Sequence, residues 1–144
     1  MIIDFKNAAS RYTPNSRNKS DGLELLANLP ANSIKTAFFD PQYRGVLDKL
    51  RYGNEGSGRM KDRCNLPQMD EEKITSFIRE IDRVLVPCGH LFLWVDKYHL
   101  LNDAAGWSNG TELNLVDMLT WDKERIGMGM RTRQRAEYIA IYQE

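Results

Sequence analysis

Asp40-Pro41-Gln42-Tyr43 sets a carboxylate, a rigid ring and an aromatic side by side, directly after the apolar run Ile34–Phe39. Those residue types suit one chemical problem. The exocyclic amine of adenine or cytosine is a weak nucleophile, because its lone pair is delocalised into the ring. Asp40 and the backbone carbonyl of Pro41 can accept its two N–H bonds and hold the nitrogen pyramidal, leaving the lone pair to attack an electrophilic methyl group. That is catalysis by positioning and electrostatics, without a covalent intermediate. Tyr43 offers a face for a base taken out of its stack, a contact worth about 1–3 kcal/mol. The same four residues also make an ordinary strand-ending Asp-Pro turn, so the surrounding elements must decide between the two.

The pattern around the tetrapeptide reads as an alternating α/β chain. Residues 1–19 are polar and form an irregular arm. Leu23, Leu25, Leu26 and Leu29 predict a short helix stopped by Pro30, and 34–39 predicts a buried strand. Residues 44–69 mix Gly45, Gly53, Gly56 and Gly58 with charges, which predicts a long mobile loop, of a length that is usually functional or disordered. A helix follows over about 70–85, capped by Asp70, with Ile74, Phe77, Ile78, Ile81, Val84 and Leu85 at helical spacing. Pro87 and Gly89 are its expected stop. Residues 90–95 read as a strand covered on both faces, and 98–105 as a second helix broken near Gly106. Two strands close the chain, at 113–121 and 137–142. This order predicts an open α/β sheet with one hairpin at its end. Right-handed crossovers make the first three strands parallel and bring their carboxyl ends to one edge, where such sheets bind ligands. Asp40, Asp96 and Asp122 begin the segments that leave that edge.

Charge supports a nucleic-acid partner locally but not globally. The 20 basic and 20 acidic residues cancel, which argues against a nonspecific DNA coat. Yet Arg44, Lys49, Arg51, Arg59, Lys61 and Arg63 crowd the first loop, and Lys123, Arg125, Arg131, Arg133 and Arg135 crowd the last turn. Both emerge on the side of Asp40, where they can hold phosphates. Cys64 and Cys88 make neither a disulfide framework nor a zinc quartet; two reduced thiols and the lack of a signal or membrane segment fit a cytoplasmic chain. Pro87-Cys88 has the order of a cysteine nucleophile for ring-carbon methylation, but a helix-to-strand turn already accounts for it. His90 and His99 have no partner at metal spacing, and Trp94, Trp107 and Trp121 read as packing. No metal is expected.

With these elements in place, the chain resembles the β-class amino-methyltransferases of DNA over roughly residues 20–143. Ser20-Asp21-Gly22-Leu23, Leu29-Pro30 and Asn32-Ser33-Ile34 are similar to the leader and turn that precede that family's catalytic strand. Phe39-Asp40-Pro41-Gln42-Tyr43 is similar to its D-P-P-Y motif. Arg83-Val84-Leu85-Val86-Pro87-Cys88-Gly89-His90-Leu91-Phe92 is similar to its RVLKPGGHL turn. Trp121-Asp122-Lys123 with Gly127-Met128-Gly129, and Arg135-Ala136-Glu137-Tyr138-Ile139, resemble the segments around its arginine-rich loop.

The resemblance implies a partial Rossmann-like class I methyltransferase sheet, the catalytic half, over 20–144. It implies S-adenosylmethionine as cofactor and DNA as substrate, in a restriction-modification setting. Asp40, Pro41 and Tyr43 would be catalytic, and Asp21, Phe39 and Asp40 would touch the cofactor, although a helix cap explains Asp21 equally well. Arg44, Lys123, Arg125, Arg131, Arg133 and Arg135 would contact DNA. Asp at the first motif position goes more often with adenine N6 than with cytosine N4 in this family. Two departures stand out. Gln42 replaces the second proline, which loosens the backbone at Pro41 without removing either acceptor. Family members of this order also carry an F-x-G-x-G cofactor loop after the last strand, so a second chain or further segment is expected to supply it. The alternative is a remnant that only binds nucleic acid or a partner.

Overall fold

The computed structural model describes residues 12–13, 15–42, 69–102, 104–127 and 134–144. Most of the expected N-terminal arm, the basic loop at 44–69 apart from Met69, and the turn 128–133 lie outside the described residues. The elements run α1 (Gly22–Ala27), β1 (Ile34–Phe39), α2 (Glu71–Val84), β2 (Leu85–Val95), α3 (Lys97–Asn102), a 3-10 turn (Ala104–Gly106), β3 (Asn114–Gly127) and β4 (Gln134–Gln143). The four strands form one sheet in the order β1-β2-β4-β3. β1 pairs parallel with β2, while β4 is antiparallel to both β2 and β3. β1, β2 and β3 therefore point the same way, as expected, and the hairpin closes the chain.

α2 forms where the apolar spacing placed it. Asp70 caps it by accepting from Lys73 N at 2.9 Å, and Glu71 and Glu72 in the first turn favour its positive N-terminal end. Its inner stripe, Ile74, Ile78 and Ile81, packs on Leu91 and Leu93 of β2 and on Ala140 and Tyr142 of β4. Each such fully buried aliphatic side chain contributes about 1.5–3 kcal/mol relative to exposure. Phe77 turns toward β1 and stacks on Phe39, with ring centroids 5.0 Å apart. The other side of that ring faces α1, where a Cβ on Gly22 would come within 2.6 Å of Phe77 Cε1. The Asp-Gly pair thus lets α1 lie close over the aromatic.

Arg83 joins the two helices. Its Nη1 donates to Leu29 O at 3.1 Å and its Nη2 to Leu26 O at 2.8 Å, satisfying carbonyls at the end of α1, while Glu80 holds the guanidinium. Bonds from Asn32 N to Arg83 O and from Ser33 N to Val84 O then lead the chain into β1.

Two boundaries differ from expectation. α2 ends at Val84, within one residue of the expected end, but β2 begins at once instead of at 90, because Leu85 is already extended (φ −66°, ψ 145°) and fully buried as a strand residue. β2 pairs from Leu85, with an irregularity that sets Ile34 opposite Leu85 but Thr36 opposite His90. Pro87-Cys88-Gly89 fills that irregularity, and Cys88 N and Gly89 O bond Glu144 at 3.1 Å each. The last two strands are also longer than the alternation indicated. They pair with each other from Gln134 to Gln143, past the last β2 contact at Val95 with Tyr138. β3 is exposed on both sides from Asn114 to Ile126, within the stretch level with β2 as well as beyond it.

Cys88 takes a left-handed φ of +64°, a conformation that costs a residue with a Cβ about 1–2 kcal/mol. Part of that strain would be offset in a glycine variant by greater entropy of the unfolded chain. Cys88→Gly is expected to stabilise the fold by up to about 1 kcal/mol, read as a higher midpoint in denaturant unfolding. Gly89→Ala should have the opposite effect, since its new Cβ would meet Val86 O at 2.7 Å.

Candidate active site

Alternation along β1 turns Phe39 into the core and Asp40 the other way. Phe38, two positions before Asp40 and on the same side, stacks on Phe92 at 5.0 Å on the sheet face opposite α2. Phe92, Trp94, Leu119, Trp121 and Glu137 share that face through their cross-strand pairings. Asp40 sits at its carboxyl edge. Pro41 is buried beneath it, and Gln42 O accepts from Met69 N at 2.8 Å, so the residue leading into α2 is tied to the tetrapeptide. No donor among the described residues bonds the Asp40 carboxylate or the Pro41 carbonyl. Among the described residues, both groups are therefore without a hydrogen-bond partner, with Asp40 exposed and Pro41 buried.

Two charges from the hairpin act on Asp40. Partial burial pushes its carboxyl above the usual carboxylate range, Glu137 on β4 pushes it further, and Lys123 on β3 pulls it back. Lys123 and Glu137 form an ion pair with each other. Residues 40, 123 and 137 are far apart in sequence, yet three strands carry them to one rim. Glu137 was legible only as part of the R-x-E-x-I signature. The signal that would have singled it out is its place near the start of the antiparallel strand, which puts it level with the carboxyl ends of β1 and β2.

The other expected site residues divide. Asp21 is the cap of α1, its Oδ1 accepting from Leu23 N at 2.9 Å and Glu24 N at 3.3 Å. Gly22, Phe77 and Phe39 connect that cap to the Asp40 end of β1. Phe39 itself is held against Phe77 inside the core. Arg135 Nε donates to Asp122 Oδ1 at 2.7 Å, which holds the Asp122 carboxyl below its ordinary range. Arg125 is exposed, with no ion-pair partner among the described residues. Tyr43, Arg44, Arg131 and Arg133 lie outside the described residues. Cys88 stands at the amino end of β2, the far end of the sheet from Asp40, so a role as nucleophile on the same substrate atom has no geometric support.

A second polar cluster anchors the same edge. Asp96, directly after β2, accepts from Tyr98 N and His99 N through Oδ1 and reaches His99 Nδ1 through Oδ2 at 2.8 Å. His99 is buried, and its Nε2 faces Glu71 Oε1 at 3.5 Å; Trp107 Nε1 donates to the other Glu71 oxygen. The imidazole therefore links the turn after β2 to the first turn of α2. Among the described residues no group of three or more His, Cys, Asp or Glu is placed to hold a metal ion, and no helix is long and apolar enough to cross a membrane.

With this geometry in view, comparison with known proteins is specific. The type II methyltransferase M.HhaII from Haemophilus parahaemolyticus is 56% identical over 131 residues, covering 90% of this chain. The chain spans 58% of that relative's length. A protein from Thermus thermophilus described as a DNA modification methylase superposes with a TM-score of 0.58 at 20% identity, over 87% of this chain and 52% of that one. The cytosine-N4-specific PvuII DNA methyltransferase gives 0.55 at 14% identity, over 86% and 47%. These likenesses show the fold, a Rossmann-like methyltransferase sheet of which this chain spans about half. No family model matches the chain.

His99→Ala would take one partner from each of the Asp96 and Glu71 carboxylates and empty a buried position. It is expected to cost about 1–3 kcal/mol of stability, read from denaturant unfolding.

Proposed function

From its kinship with the DNA amino-methyltransferases, we propose that this chain carries the catalytic residues of an S-adenosylmethionine-dependent enzyme that methylates an exocyclic amine of a DNA base. The observation that carries this reading is the placing of the exposed Asp40 carboxylate, followed by Pro41, at the carboxyl edge of the sheet, with neither acceptor hydrogen-bonded by another described residue. They match the two N–H bonds of an aromatic amine. Accepting both draws the nitrogen lone pair out of the ring, and a site held at the end of a paired strand does so without reorganising. The amine proton lost after attack can pass to Asp40, which lies beside it.

The cofactor, when bound, supplies the electrophilic methyl group. It carries a positive sulfonium and an ammonium, and the described residues suit such a ligand: Asp21 and Asp40 bring two carboxylates to neighbouring ends of α1 and β1. Phe39 serves this site from behind, stacked on Phe77. A base must leave the duplex to reach Asp40, and Tyr43, by its place in the motif, is the aromatic for it to stack on. Arg125, with Arg44, Arg131 and Arg133, is the candidate set for phosphates. Lys123 and Arg135 are engaged by Glu137 and Asp122. Adenine N6 is the leading target, on the family tendency of an Asp at the first motif position.

In the full protein, Asp40→Ala should abolish methyl transfer while leaving cofactor affinity within a few-fold. Tyr43→Ala should weaken base binding by about 1–3 kcal/mol, and Tyr43→Phe by much less. Tritiated methyl transfer to single-stranded and duplex DNA, with the product nucleoside identified by mass spectrometry, measures both. N6-methyladenine is the expected product; N4-methylcytosine would move the target, and methylation surviving Asp40→Ala would overturn the reading.

A further inference from the structure

Gln42 is the loose point of the tetrapeptide. A proline in its place would hold Pro41 extended by the bulk of its own ring, and glutamine applies no such restraint. A carboxylate and a carbonyl that meet two N–H bonds of one amine need that backbone fixed. A misplacement of about 1 Å can cost about a hundred-fold in rate. The structure restrains the backbone from outside. Gln42 O accepts from Met69 N at 2.8 Å, and Met69 is packed against the core. Two residues on, the chain enters α2. Asp70 fixes that entry, its Oδ1 accepting from Lys73 N at 2.9 Å and its carbonyl from Ile74 N at 3.0 Å.

The first turn of α2 is locked in turn to the strand beside β1. One Glu71 oxygen accepts from Trp107 Nε1, and the other faces His99 Nε2 at 3.5 Å. The second ring nitrogen, His99 Nδ1, lies 2.8 Å from Oδ2 of Asp96, directly after β2. The imidazole is buried, so packing holds it between the two carboxylates. The apolar stripe of α2 begins only at Ile74. Before it, this polar cluster is what ties the turn leading from Met69 to the body of the sheet.

We propose that Glu71 and His99 are positioning residues for the Asp40-Pro41 site. With Asp96 and Trp107 they pin the first turn of α2 to the carboxyl end of β2. Through Met69 that pin holds Gln42, and so supplies the backbone restraint that a proline would otherwise give. Neither side chain touches the substrate; both act through the chain that leads to Met69. The proposal rests on the reading of Asp40 and Pro41 as the acceptors of the amine.

The test is a double-mutant cycle in the full protein. It reads kcat for methyl transfer, KM for DNA and the hydrogen-exchange rate of the Met69 amide. Glu71→Ala is the main variant, because that side chain is 52% exposed and its loss leaves the helix stripe intact; His99→Ala is the second. Each should lower kcat about ten-fold or more, with KM for DNA within a few-fold, and should speed exchange at Met69. In a Gln42→Pro background the same substitutions should cost about two-fold or less, because the ring then supplies the restraint. A side chain that only stabilises the fold would cost the same in both backgrounds. Equal costs, an unchanged kcat, or a Met69 amide that exchanges as slowly as in the parent would overturn the pin. With Asp40→Ala inactive, each of those results leaves the assignment of Asp40 standing. An inactive Gln42→Pro would also overturn the pin, by showing that this restraint is not what the site needs. Should Asp40→Ala retain transfer, the assignment of the acceptors itself fails, and the pin with it.

Discussion

The burial of one helix stripe against two strands is the constraint on which the molecule depends. Ile74, Ile78 and Ile81 can leave water only by lying across Leu91, Leu93, Ala140 and Tyr142. That contact fixes α2 as the crossover between β1 and β2 and makes their pairing parallel. Parallel pairing sends the carboxyl ends of both strands to one edge. A strand has a side-chain period of two, so the core positions Ala37 and Phe39 leave Asp40 turned to the opposite face. A slip of one residue in β1 would exchange Phe39 and Asp40, placing a carboxylate against Phe77 and an aromatic at the rim. The chemistry at the edge is thus held in place by hydrophobic packing some distance away.

Many of the residues that carry the family likeness are architectural. Gly22 allows α1 to approach Phe77, Arg83 satisfies the last carbonyls of α1, and Gly89 fits where a Cβ would strike Val86 O. Cys88 occupies a left-handed backbone conformation that suits glycine, which accounts for the glycine in the resembling turn and not for the cysteine that replaces it. Motif residues of this kind report the fold. Asp40 and Pro41 are different, because nothing in the packing requires their acceptors to be without a partner among the described residues.

The hairpin makes the site more than a strand end. β3 and β4 pair beyond the last contact with β2, which projects Asp122, Lys123, Arg135 and Glu137 past the sheet proper. They make two ion pairs among themselves, so the basic cluster read from sequence is partly neutralised. Exposed single ion pairs contribute little stability. Their consequence is where they place charge. The Asp96–His99–Glu71 cluster braces the same edge from the helix side, so the rim is tied to the body at both flanks.

Local pattern determined much of this protein. The helical spacing of Ile74 to Val84, the apolar runs of β1 and β2 and the position of the tetrapeptide at a strand end were all legible, because each rests on near neighbours and a fixed period. Strand direction followed from the crossover rule. The ends of strands were less legible: β2 starts at Leu85 instead of 90 and the hairpin runs long, since pairing across the sheet outweighs local stop signals. Only the tertiary structure decided that Phe39 serves the core while Asp40 serves the rim, that Asp21 caps a helix, and that Lys123 bonds Glu137 while both act on the charge of Asp40. Those facts join residues as much as 97 positions apart (Asp40 and Glu137). Composition and spacing name the groups, but electrostatic fields and hydrogen bonds act through space, and the distances that govern them exist only once the sheet has formed.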